Sequence, residues 1–118
     1  MKSELLSIDN IFEEVRDRVI WIKFKHLTMS EDNPKKLNLY LRRNILEYGL
    51  KEPIYIQSKL KVSDGYNRLM CLKDIITDID EVEIPCIMTA YTTTTDIKKR
   101  EKEFYKMDID KFRGGRAI

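Results

Sequence analysis

Apolar positions along the chain change their spacing several times, and each change marks an element. Residues 1–17 open polar; Ile11, Phe12 and Val15 then share one stripe, so an N-terminal extension with a short helix is expected, capped by Ser7 or Asp9. From Val19 to Phe24 the period shortens to two. Ile20, Ile22 and Phe24 fall on one face and Trp21 and Lys23 on the other, which predicts a strand with one buried face. Asn33-Pro34 is a helix start, with asparagine as cap and proline at the first helical position, and Gly49 stands where that helix ends after Tyr48. Leu37, Leu41, Ile45 and Tyr48 are its inward stripe, leaving Arg42 and Arg43 to solvent.

Pro53 opens a second strand at Ile54-Tyr55-Ile56, and Ser58-Lys59 is placed to turn the chain into a third, Leu60–Ser63. An Asp64-Gly65 turn follows. Leu69, Leu72, Ile75 and Ile76 then recur at helical spacing, predicting a helix to about Ile79. Val82–Met88 reads as a strand with Pro85 near its start or on an edge. Thr92–Thr95 form a linker, Asp96–Met107 a charged helix with Ile97 and Phe104 inward, and 110–118 a mobile tail. The expected class is α/β in the α+β sense, a single small domain with a mixed sheet flanked by helices. Its parts are an extension (1–17), a core (18–90), a charged helix (91–109) and the tail.

Composition narrows the classes. Among 118 residues, 42% are apolar and 36% charged, which suits one globular domain with a heavily charged surface. The net charge of +2 demands no polyanionic partner, so any basic patch must arise from clustering. No apolar run approaches the roughly 18 residues of a membrane span, so an intracellular, cytoplasmic protein is expected. Cys71 and Cys86 form no CxxC and His26 has no companion, so no metal site is expected and both cysteines read as small buried residues.

The chemistry concentrates at Asp64-Gly65-Tyr66-Asn67-Arg68. A strand, a glycine turn and a helix start make an anion site, because the first helical amides have no intrahelical partner. Arg68 sits in that first turn, where a cation opposes the helix dipole unless it shares an anion with the amides. The plainer alternative is a β-turn before a core helix with a surface arginine. Asp64 is either a magnesium or ligand-hydroxyl contact or an ordinary turn residue. Glu31 is a candidate second carboxylate, against a solvated loop; Arg113 and Arg116 in the tail are candidates for gripping a nucleic-acid backbone.

Four blocks in order carry a resemblance: Trp21-Ile22 to Leu27; Asn44-Ile45-Leu46-Glu47-Tyr48-Gly49-Leu50-Lys51-Glu52-Pro53-Ile54; Val62-Ser63-Asp64-Gly65-Tyr66-Asn67-Arg68; and Ile84-Pro85-Cys86-Ile87-Met88. Over residues 18–90 the chain resembles the ParB N-terminal and sulfiredoxin-like superfamily, often described as ParB-like nuclease domains. The resemblance implies a small α/β fold that binds a nucleoside triphosphate, CTP or ATP with Mg²⁺. The phosphates would lie on the loop that here is Gly65, Tyr66, Asn67 and Arg68, with Asp64 beside it. It also implies association with DNA, and a homodimer is compatible with it. Members include clamp-type CTPases, phosphotransferases and nucleases, so catalysis stays open, with Asp64 and Glu31 as candidate catalytic residues. Sulfiredoxin chemistry is not expected, because Tyr66 and Asn67 stand where a cysteine and a histidine precede the arginine. Asn67 can hydrogen-bond a phosphate but is a poor general base. The residues after the last block are too few for a helix-turn-helix reader of a centromere. The rivals are a metal-dependent nuclease or small phosphotransferase, and a binding module of the same fold that has lost the nucleotide.

Overall fold

The computed structural model describes residues 2–29, 36–89, 95, 97–100 and 102–104. Four strands, β1 (Ile20–Lys23), β2 (Ile54–Gln57), β3 (Lys61–Asp64) and β4 (Glu83–Met88), form one mixed sheet in the order β1-β4-β2-β3. β4 runs antiparallel to β1 and parallel to β2, and β2 and β3 form an antiparallel hairpin. Helices α1 (Lys2–Leu5), α2 (Leu39–Tyr48) and α3 (Tyr66–Ile75) accompany the sheet. The result is a single α+β domain with a mixed sheet and several helices, the class that the hydrophobic pattern predicts.

The two central strands are buried on both faces. Ile54, Tyr55, Ile56, Ile84, Cys86 and Ile87 are all in the core, so these segments read as near-continuous apolar runs. Pro85 lies in an interior strand, not on an edge. It is tolerated because β2 begins opposite Cys86, so the missing proline N–H falls before the first β2 partner. The hairpin turn spans Ser58–Leu60, with Lys59 and Leu60 both at positive φ.

α2 starts later than Asn33-Pro34 suggests. Residues 36–38 are not helical, and the cap is Asn38, whose side-chain oxygen accepts from the Leu41 N–H at 3.0 Å. Asn33 and Pro34 lie outside the described residues. Leu37 therefore precedes the helix and packs on the core from there, while Leu41 and Ile45 are the buried stripe. Arg42 is not simply solvated: its Nε donates to Asp74 Oδ2 at 2.7 Å and ties α2 to α3. Gly49 ends α2 at φ +78°, and its N–H donates to the Ile45 carbonyl at 2.8 Å.

Three further elements differ from the pattern. The N-terminal stripe is carried by two 3-10 segments, Ile8–Asn10 and Glu13–Arg18, which still bury Ile11 and Val15; Ser7 caps the first by accepting from the Asp9 N–H. α3 stops at Ile75, where Ile76 takes an extended backbone; Asp78 is then left-handed and leads into a 3-10 turn at Ile79–Glu81 that buries Ile79. β1 is an edge strand whose Ile20 is exposed, so its alternation delivers only Phe24 fully to the core. Residues 97–100 and 102–104 are helical, with Ile97 buried and the Phe104 ring 5.6 Å from those of both Phe12 and Tyr48. The threonines 92–94 and the tail lie outside the described residues. Cys71 and Cys86 are buried free thiols; burial raises both pKa values, that of Cys86 to about 12. Among the described residues, no helix is long and apolar enough to cross a membrane.

Candidate functional site

The segment from β3 through Gly65 into α3 brings together four of the candidate residues, Gly65 to Arg68, with Asp64 at the strand end. Gly65 is the helix cap, at φ +111°, and no side chain caps α3. A Cβ at Gly65 would lie 2.9 Å from Ile54 Cδ1 and 3.0 Å from an Arg68 terminal nitrogen. Both conditions restrict the position to glycine. Asn67 is exposed and Tyr66 half-buried, so the outer face of the turn carries an amide side chain and the open end of the helix.

Arg68 faces the other way. It is only 5% exposed, and its guanidinium donates to the Pro53 carbonyl at 3.3 Å and lies 3.9 Å from Asp64 Oδ1. The awkward cation in the first turn thus has protein partners beneath the turn, which rules out the surface arginine of the plainer reading. Asp64 Oδ2 is buried without a hydrogen-bond partner among the described residues. A phosphate-bound Mg²⁺ usually takes one or two carboxylates that face the phosphates. Among the described residues Asp64 is the one carboxylate at the turn and that oxygen is enclosed, so these residues do not fit the ion.

Next to this turn lies a polar centre that no sequence motif announces. Glu52, 1% exposed, accepts from Arg100 at 2.9 and 2.7 Å and from the buried Tyr55 hydroxyl; Arg100 also contacts that hydroxyl at 2.9 Å. Burial, followed by the Glu52 contact, pushes the Tyr55 phenol well above its ordinary range, and the Glu52 carboxylate likewise raises Arg100. Tyr55 faces Asp64 across the β2–β3 ladder and its carbonyl accepts from Ser63 Oγ at 3.1 Å, so the two polar groups share one end of the hairpin. Glu52 precedes a proline in a loop and Arg100 sits in a charge run; neither context marks a buried pair.

Glu31, Arg113 and Arg116 lie outside the described residues. Among the described residues, no three His, Cys, Asp or Glu side chains gather as a metal site. Comparisons with protein-family models, with curated proteins and with solved structures find no match to this chain.

Proposed function

We propose that the chain is a nucleotide-binding domain of the ParB and sulfiredoxin-like kind, associated with DNA in the cytoplasm. Its phosphate site is the outer face of the Gly65-Tyr66-Asn67 turn. One observation carries the reading. The Gly-Leu-x-x-Pro-Ile block and the Asp-Gly-Tyr-Asn-Arg block, two of the four parts of the resemblance, pack against each other, with Arg68 on the Pro53 carbonyl and Gly65 on Ile54. In this arrangement the opening amides of α3 and the Asn67 side chain hold the phosphate, and Arg68 supplies positive charge from beneath.

The test is a thermal-shift series with CTP, ATP, GTP and inorganic phosphate. A ligand at a hundredfold excess over its dissociation constant stabilises by about 2.7 kcal/mol. Asn67→Ala is exposed, so it is expected to keep the melting temperature and lose most of the ligand shift. A second reading, a module that keeps the fold without the nucleotide, is favoured by the burial of Arg68. It is selected if no nucleotide or phosphate shifts the melt at millimolar concentration. For DNA, deleting residues 110–118 is expected to lower the slope of log affinity against log salt by about two, one for each of Arg113 and Arg116; an unchanged slope removes the tail from the interface.

A further inference from the structure

Four consecutive residues between α2 and β2, Leu50 to Pro53, are each held by a different part of the chain. The Leu50 N–H donates to the Leu5 carbonyl at 2.8 Å, and the Lys51 carbonyl accepts from the Phe12 N–H at 3.0 Å. Glu52 takes Arg100 on both carboxylate oxygens, and the Pro53 carbonyl takes the Arg68 guanidinium at 3.3 Å. The Lys51 ammonium also lies 5.4 Å from the Phe104 ring centroid. Two of the four residues thus reach the C-terminal helical segment, residues 97–100 and 102–104. The candidate phosphate turn stands on the same stretch of chain. A Cβ at Gly65 would meet Ile54 Cα at 3.3 Å, and the Tyr55 carbonyl accepts from Ser63 Oγ at 3.1 Å. Tyr55 faces Asp64 where the β2–β3 register shifts.

Glu52 gives this junction two states. Its carboxylate is buried, and the cation against it comes from the C-terminal segment. A buried ion pair adds little stability by itself, but stripping away one partner leaves a charge that the interior does not tolerate. When Arg100 withdraws, the Glu52 carboxylate has to reach water, and the Glu52-Pro53 backbone moves with it. That backbone holds Arg68. The same withdrawal removes a positive charge and leaves a negative one beside the turn, which disfavours an anion there. We propose that the C-terminal helical segment is a strap that controls the turn. Docked on Glu52, it holds Gly65–Arg68 in the phosphate-binding shape; released, it loosens the turn. Its ligand rests on the phosphate reading of the turn, and its mechanics rest on the junction alone. Coupling between two sites is reciprocal, so a bound phosphate also holds the strap down.

Amide hydrogen exchange on the intact chain tests the strap. The Leu69 N–H donates to the Gly65 carbonyl at 2.9 Å and so closes the turn. Arg100→Ala is expected to speed Leu69 exchange about fivefold or more, the low end of ordinary couplings, and to weaken inorganic phosphate binding by a similar factor. Adding Glu52→Gln is expected to bring Leu69 exchange back toward the parent, because the stranded charge is gone. Phe104→Ala loosens the strap without stranding Glu52. It is expected to act in the same direction, more weakly, and it decides the matter if Arg100→Ala does not fold. Leu27→Ala is the comparison for general destabilisation: Leu27 is buried at the other end of the hairpin, where Thr28 bridges to Leu60. Inorganic phosphate is expected to raise protection at residues 97–100 in the parent and not in Asn67→Ala. Leu69 exchange that rises no more in the strap variants than in Leu27→Ala overturns the proposal. So does the absence of rescue by Glu52→Gln, or a phosphate affinity that Arg100→Ala leaves unchanged. A parent that binds no phosphate, yet shows the Leu69 effect and its rescue, retires the phosphate reading and upholds the strap's control of the turn.

Discussion

At Gly65 the backbone stands at φ +111°, with Ile54 and Arg68 too close for any Cβ. Gly65→Ala is therefore expected to cost about 1–3 kcal/mol from the backbone conformation alone, read as a lowered denaturation midpoint. The Glu52–Arg100 pair makes a sharper case, because removing one member strands a buried charge. Arg100→Ala is expected to destabilise by about 3–5 kcal/mol, and adding Glu52→Gln to restore part of it, which a double-mutant cycle measures. Tyr55 gives a pH signature. Its folded pKa is raised above the ordinary 10.0, so its contribution is complete below pH 10.0 and declines as pH rises toward the folded value. In a phenolate absorbance titration, one of the six tyrosines is expected to ionise only with alkaline unfolding. Glu81 behaves in the opposite sense. The Lys25 and Lys23 contacts lower its pKa from 4.5 to about 2, so its contribution is present above pH 4.5 and lost as pH falls through about 2.

The elements follow the hydrophobic period in kind more than in extent. α2 shows why. Asparagine and proline in sequence announce a helix start, but Asn38 lies closer to the buried stripe and satisfies the Leu41 amide itself. Asn38→Ala is expected to cost about 1 kcal/mol through the lost cap. Leu41→Ala, at a buried position of the same helix, is expected to cost about 2–5 kcal/mol. Chemical denaturation that ranks the two the other way would place the stability of α2 in its end and not in its packing. The N-terminal segment carries a helical stripe, yet it folds as 3-10 turns that still seat Ile11 and Val15. There the period predicts which side chains are buried and leaves the backbone geometry to the packing.

Across the whole molecule, segments far apart in the chain meet around Phe104 and Arg100. Phe104 packs on Phe12 and Tyr48 with the Lys51 ammonium 5.4 Å from its ring centroid, and Arg100 reaches Glu52 and Tyr55. Phe104→Ala is expected to lower hydrogen-exchange protection at residues 97–100 while the central strands keep theirs. The sequence alone determined the class of the fold, the hairpin, the glycine turn before α3 and most of the buried positions. Those depend on local period, backbone freedom and transfer of apolar side chains from water. Only the tertiary structure decided that Arg68 lies beneath its turn, that Glu52, Tyr55 and Arg100 form one polar centre, and that β4 sits inside the sheet between β1 and β2. Strand order and the pairing of buried charges arise between segments far apart in the chain, and no local spacing encodes them.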